Sequence, residues 1–218
     1  PDQTFQVKTA TGDSILARVV LVAIGLRPRR LGLPEEKTWF GHGVSYCANC
    51  DGPLFKNKVV AVVGGGNSAL DSAEVLSRIA SRVYLIHRRT DFRAFADLIS
   101  VVNRNDKITK LMPAEVIALA GDKKLTKITV KQAGQTKELA VDGLFIEIGS
   151  EADSAWLGES VDLDSQGRIL SDHQGRTKTP GLLVAGDIAS GHFQQISVAV
   201  GDGTTAALMA DDYLRKLS

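Results

Sequence analysis

The two cysteines of this 218-residue chain stand two residues apart, in Cys47-Ala48-Asn49-Cys50, and Asp51 follows at once. Thiols at that spacing can close as a disulfide and reopen as a dithiol, with the thiolate as the reactive form. The same spacing is half of a zinc site, which needs about four ligands. Only His42 and Asp51 lie near in sequence and there is no second Cys pair, so no metal is expected. An inert thiol pair would leave the adjacent carboxylic acid unexplained. Asp51 can donate or accept a proton as the dithiol forms if partial burial raises its pKa. It also suits the turn before Gly52-Pro53, and the two roles are compatible.

A second set of residues has the chemistry of a dinucleotide site. Gly64-Gly65-Gly66-Asn67-Ser68-Ala69 follows an apolar run and opens a helical pattern. In that context Gly64 permits a tight turn, Gly66 lets the backbone approach a pyrophosphate, and a small Ala69 lets helix and strand pack closely. Amides at the helix start, from Asn67 and Ser68 on, face the anion. Past the next apolar run stand His87-Arg88-Arg89 and then Arg93. A site for NADH usually has an acidic residue there, for the ribose 2′-hydroxyl. Guanidinium groups match a 2′-phosphate instead, so NADPH is the expected ligand. A third candidate is Gly186-Asp187, after "PGLLVA", where a carboxylate can accept hydrogen bonds from sugar or ribityl hydroxyls. Gln194-Gln195, at the start of the following helical pattern, can face the same ligand.

These residues need strands to end where they begin. The segment 57–89 reads as strand (Val59–Val63), loop, helix (about 68–80) and strand (Val83–Ile86), with Ala69, Ala73, Leu76 and Ala80 on one helical face. That βαβ unit predicts a doubly wound α/β domain. Residues 96–103 read as a helix and 108–112 as a strand; "EVIALA", "LTKITVKQ" and "TKELAV" form a meander before "DGLFIEIG". Upstream, residues 5–25 read as a hairpin turning at Thr11-Gly12-Asp13, followed by a buried strand, and 26–34 as a linker. Downstream come a short strand at 167–172, a buried strand ending at Gly186-Asp187, and a long, mostly apolar helix over 193–217.

The chain also repeats itself. "VKTATGDSILA" (7–17) matches "VKQAGQTKELA" (130–140) at an offset of 123, and "LVAIG" then matches "FIEIG". Two modules therefore end alike, but only the second has its glycine loop, so the front of the first is expected to be missing. A net charge of +1 provides no field for nucleic acid, and the longest apolar run, 19–26, is too short to span a membrane. Two cysteines make no disulfide framework for a secreted domain, so a cytoplasmic setting is expected.

Together "GVSYCANCDG", "VVGGGNSA", "LIHRRTDFRA", "PGLLVAGD" and "GDGTTAA" closely resemble low-molecular-weight thioredoxin reductases, of the pyridine nucleotide–disulfide oxidoreductase family, in order and spacing. The resemblance implies a Rossmann-like NADPH-binding domain (35–148) carrying the Cys pair, inserted into an incomplete FAD-binding domain of the same type (1–34 and 149–218). It implies electron flow from NADPH through FAD to the Cys pair, then to a thioredoxin-like disulfide. Cys50 would lie against the flavin, Cys47 would attack the partner, Asp51 would be the general acid, and Gly186, Asp187 and Gln195 would bind flavin. It also implies a homodimer for the complete protein. There are departures: Gln194 stands where the family commonly has Arg, Ile196 where it has a small residue that leaves room for the flavin ring, and "AIG" (23–25) where it often has "ATG". The alternatives are an NADPH-binding module without FAD, inactive or regulatory, and a related reductase for another disulfide partner.

Overall fold

The computed structural model describes residues 4–191 and 193–217, which form two compact units: residues 28–150, and residues up to 27 together with 151 onward. The chain opens with the hairpin β1 (Phe5–Lys8) and β2 (Ser14–Ala17), then β3 (Val20–Val22). It enters the inserted unit at β4 (Arg27–Pro28) and continues through α1 (Glu36–Trp39), β5 (Val44–Ser45) and α2 (Ala48–Asp51). Then come β6 (Val59–Val63), α3 (Asn67–Ser77), β7 (Arg82–Ile86), α4 (Ala96–Arg104) and β8 (Ile108–Leu111). The meander β9 (Ala114–Gly121), β10 (Leu125–Gln132) and β11 (Gln135–Ala140) precedes β12 (Gly143–Ile146) and β13 (Ser150–Glu151). β14 (Leu182–Val184) and α5 (Ile196–Lys216) end the chain.

The inserted unit is a three-layer α/β body. Its parallel sheet has the order β5-β12-β6-β7-β8. Successive side chains of a strand point to opposite faces. Accordingly Val60, Val62, Val83 and Leu85 pack on Ala69, Leu70, Ala73 and Leu76 of α3 and Val102 of α4. Ala61, Val63 and Ile86 meet Val116, Leu119, Ile128 and Val130 of the meander. Covering both faces is why these strands read as unbroken apolar runs. α3 stops at Ser77, earlier than its apolar period suggests; Ala80 stays buried, but in the turn that follows.

The other unit is more open. β3 pairs in parallel with β14, and β1 with β2 antiparallel. Val22, Val161, Ile169, Leu182, Val184 and Ile188 form its core. The expected buried strand at 19–25 is only partly so: Val22 is buried, but Leu21 and Ile24 are 38% and 50% exposed. β14 is the one strand flanking β3 among the described residues, so the other edge of β3 is unpaired there. The strand expected at 167–172 reduces to isolated bridges of Ile169 to Leu163 and to Ala189. α5 starts at Ile196, later than expected, and Ala206 is its fully buried residue, while Val200 and Leu208 are 64% and 62% exposed.

The internal repeat holds for the order of elements, hairpin then parallel strand, and not residue by residue. Val7 pairs with Ile15, whereas its counterpart Val130 pairs with Lys137, one residue short of the offset. Ala133 and Gly134 turn at φ 49° and 80°, a two-residue hairpin loop, where β1 and β2 need residues 9–13. A slip of one residue exchanges the faces of a strand.

Gly143 tests the packing. A Cβ there would lie 2.3 Å from the Phe55 ring, which itself packs edge-on against Phe145. Gly143→Ala should cost about 1–3 kcal/mol of overpacking, read by urea unfolding. Adding Phe55→Leu should recover part of that loss.

Candidate active site

β5 ends at Ser45, and the chain turns through Tyr46 and Cys47 into α2. Cys47 and Cys50 form a disulfide with Cα atoms 5.3 Å apart. Cys47 is half-buried and Cys50 exposed. Cys47 is the N-cap: its Sγ accepts from the Cys50 N–H at 3.1 Å, and its carbonyl accepts from the Asp51 N–H at 3.1 Å. The Ser45 hydroxyl, 3% exposed as a residue, organises the turn. It donates to Asp51 Oδ2 at 2.6 Å and accepts from the Cys47 N–H at 3.0 Å. One oxygen thus fixes both the acid and the first cysteine. The sequence reading missed Ser45, because a serine six residues before an aspartate carries no mark of its own.

The residues before α1 are tied down by another acid that the sequence reading missed. Glu36, 2% exposed, accepts from the Leu31 and Gly32 N–H groups at 3.2 and 3.0 Å and from the Tyr46 hydroxyl. Burial, reinforced by Glu36, pushes the Tyr46 phenol well above its usual range. The stretch expected to be a free linker is therefore anchored, through Glu36, to the residue before Cys47.

The glycine loop is shaped by what cannot fit. At Gly64, φ is +150°, and a Cβ would lie 2.2 Å from the Glu147 carbonyl oxygen and 2.6 Å from Ala69 Cβ. At Gly65 a Cβ would strike the His87 ring at 2.2 Å. At Gly66 it would meet nothing within 4 Å, leaving the room a phosphate needs. Gly66 caps α3 without a side-chain hydrogen bond, so the first amides of the helix face outward uncapped. Ala69 is fully buried and Ser68 exposed. Asn67 turns elsewhere: its Oδ1 accepts from the Phe95 N–H at 2.8 Å and steadies the start of α4.

Of the basic residues, Arg93 meets this loop through its backbone. The Arg93 N–H donates to the Gly65 carbonyl at 2.7 Å, and Arg93 bridges Gly66 in parallel. Arg88, Arg89 and Arg93 are exposed, and among the described residues none of them forms a salt bridge. His87 is buried, its Nε2 within 3.1 Å of the Asp91 carbonyl oxygen. Burial pushes its pKa below 6.5 against that bond, and Arg88 and Arg93 push the same way. A neutral imidazole packed on Gly65, an uncapped helix start and three free guanidinium groups together fit a phosphorylated dinucleotide.

Gly186, Asp187, Gln194, Gln195 and Ile196 lie in the other unit. Gly186 has φ +75° and its N–H donates to Asp202 Oδ2 at 3.3 Å, so that amide is already engaged. Asp187 is half-buried in the 3-10 turn after β14. Gln194 and Gln195 are exposed, and Gln195 is the N-cap of α5. Ile196 is 87% exposed and so crowds nothing within its unit. Asp187, Gln194 and Gln195 supply hydrogen-bonding groups of the kind a hydroxylated ligand takes. Among the described residues no three His, Cys, Asp or Glu side chains are grouped to hold a metal ion.

A glycine loop between parallel strands, with a cysteine disulfide in the same unit, defines a class of nucleotide-binding α/β proteins equipped for thiol–disulfide exchange. The comparisons narrow that class: residues 1–203 match the sequence profile of pyridine nucleotide-disulphide oxidoreductases, and the chain belongs to that family. It is 38% identical to the thioredoxin reductase of Treponema pallidum, over 99% of this chain and 70% of that protein. It is 39% identical to a component of the alkyl hydroperoxide reductase of Pseudomonas putida, over 98% of this chain and 42% of that protein. The solved thioredoxin reductase of Lactococcus lactis superposes with a TM-score of 0.81 at 32% identity, over 98% of this chain and 71% of that one. No helix among the described residues is long and apolar enough to cross a membrane.

His87 makes the folded state sensitive to acid. A lowered folded pKa means that stability is complete above 6.5 and is lost as pH falls from there toward the folded value. Urea unfolding at about pH 7.5 and about pH 5.5 should show that loss. His87→Gln should flatten this part of the pH dependence.

Proposed function

We propose that this chain acts in an NADPH-dependent, FAD-containing reductase of the thioredoxin reductase type, in the cytoplasm and as a homodimer when complete. Its substrate is a thioredoxin-like protein disulfide. The observation that carries this reading is the Cys47–Cys50 disulfide, with Asp51 held by Ser45, in the same unit as the cradle of Gly64, Gly66, Arg88, Arg89 and Arg93. Residues 28–150 would be the NADPH domain, and the remainder would contribute to the FAD domain.

When bound, the nicotinamide and flavin supply the hydride and the electron pair that reduce the disulfide. This chain's own residues do the rest. Backbone amides at the start of α3 hold the pyrophosphate, and Arg88, Arg89 and Arg93 hold the 2′-phosphate. Asp187 and Gln195 offer hydrogen-bonding groups to a flavin. After reduction, the Cys47 thiolate attacks one sulfur of the partner disulfide, and the other sulfur leaves as a thiolate. Cys50 then attacks the Cys47 sulfur, the partner's second thiolate leaves, and the Cys47–Cys50 bond closes again. Asp51 moves the proton that these changes require.

Calorimetry tests the cofactor. Arg88→Ala with Arg89→Ala should weaken NADPH by about 10- to 100-fold, in line with lost charge-assisted bonds, and leave NADH nearly unchanged. Equal losses would overturn the 2′-phosphate assignment. A second reading, an NADPH-binding module without flavin, is favoured by the exposure of Gln194, Gln195 and Ile196. Titration with FAD separates the two: perturbed flavin absorbance supports the reductase, and NADPH binding with no flavin change supports the module.

A further inference from the structure

One half-buried acid is unused by the scheme above. Glu147 follows β12, and its backbone N–H donates to the Val63 carbonyl at the end of β6. Its own carbonyl is what bars a side chain from Gly64. Its carboxylate accepts from Ser72 Oγ of α3 at 2.9 Å. β12 runs parallel to β5, with Leu144 opposite Val44 and Phe145 opposite Ser45, so Glu147 leaves the sheet beside the turn that carries Cys47 and enters α2 at Ala48, and the Ala48 amide helps to hold its pKa down. Ala48 is the neighbour of Cys47. Glu147 therefore meets the glycine loop through its backbone carbonyl and α3 through its half-buried carboxylate, beside the turn that bears the disulfide.

We propose that Glu147 is a positioning residue that holds α2 on α3 and, by keeping a negative charge against the first amide of α2, sets the reduction potential of the Cys47–Cys50 pair. The proposal rests on the redox reading of that pair. Reduction adds two electrons and, above the lower thiol pKa, one proton: the S–S bond breaks, leaving one thiol and one thiolate. A carboxylate beside the turn opposes the new thiolate and makes the dithiol form harder to reach. The charged group acting on Glu147 from α3 is Asp71, which reinforces burial in raising its carboxyl pKa, while Ser72 and the Ala48 amide oppose that rise.

Equilibration of the 218-residue chain with dithiothreitol and its oxidised cyclic disulfide tests this without flavin or nucleotide. Glu147→Gln retains the size and the acceptor for Ser72 but removes the charge. At about pH 8 its equilibrium constant for reduction should exceed that of the wild type by roughly three- to tenfold, and tenfold corresponds to about 30 mV for a two-electron couple. The difference should shrink as the pH falls and Glu147 takes up its proton. Because burial raises this carboxyl pKa, its charge opposes folding once the pH rises through the folded value, so the Gln variant should fold at least as stably at neutral pH. Glu147→Asp, which keeps the charge, should stay nearer the wild type. A Gln variant within twofold of the wild type at every pH overturns the proposal, as does a shift of equal size at all pH values. A wild-type disulfide that dithiothreitol cannot reduce overturns the redox reading itself.

Discussion

At the end of β6 three stretches of backbone converge more closely than a side chain allows. Gly64 faces the Glu147 carbonyl on one side and the Ala69 methyl on the other, at distances no Cβ tolerates. The rest of the inserted unit depends on this contact. It starts α3 directly at the C-terminal end of the central strand β6, so that Ala69, Ala73 and Leu76 pack on Val60, Val62, Val83 and Leu85. It leaves Gly66 open where a phosphate would approach, and it places Gly65 beneath His87. A larger residue at 64 would push the helix from the sheet and spoil core and cradle together.

Around the disulfide the organising groups are oxygens rather than methyls. Ser45, Glu36 and Glu147 are each buried or half-buried, and each is satisfied by backbone amides or hydroxyls. Buried polar groups of this kind specify one arrangement, because every alternative leaves a donor or acceptor unpaired. The pattern is economical: Ser45 holds the segment to its own acid, Glu36 ties Tyr46 to residues 31 and 32, and Glu147 holds Ser72 of α3 beside the turn into α2. The cysteine turn is thereby fixed from three sides while Cys50 stays open to solvent.

What the sequence disclosed follows from how each feature is encoded. β6, α3 and β7 were legible because burial on both faces imposes apolar runs and a helical period, and the glycine loop because its contacts exclude a Cβ. The cysteine pair and the arginines announce themselves by residue type. Ser45, Glu36 and Glu147 do not, since their partners are backbone amides or side chains 6 to 75 positions away. The hairpin repeat misled at the level of register: Ala133-Gly134 makes a two-residue turn, whereas 9–13 close around Thr9, Thr11 and Asp13. The apolar run at 19–25 misled about burial, because it predicts a covered strand and β3 has one flanking strand among the described residues.

The two units differ in how far their contacts close, and that difference bears on which chemistry each sustains. The inserted unit covers both faces of its sheet, with Leu85, Leu144, Phe145 and Ile128 at no measurable exposure. Its nucleotide cradle and its disulfide are therefore built on a body whose core is complete. The other unit leaves Leu21, Ile24, Val200 and Leu208 open beside two small buried clusters. Asp187 and Gln195 belong to that second unit, Asp187 half-buried and Gln195 exposed at the start of α5. A ligand that binds chiefly through rigid backbone amides needs a finished scaffold. The glycine loop and the disulfide thus have their structural support within residues 28–150, whereas the other unit leaves apolar side chains of β3 and α5 exposed.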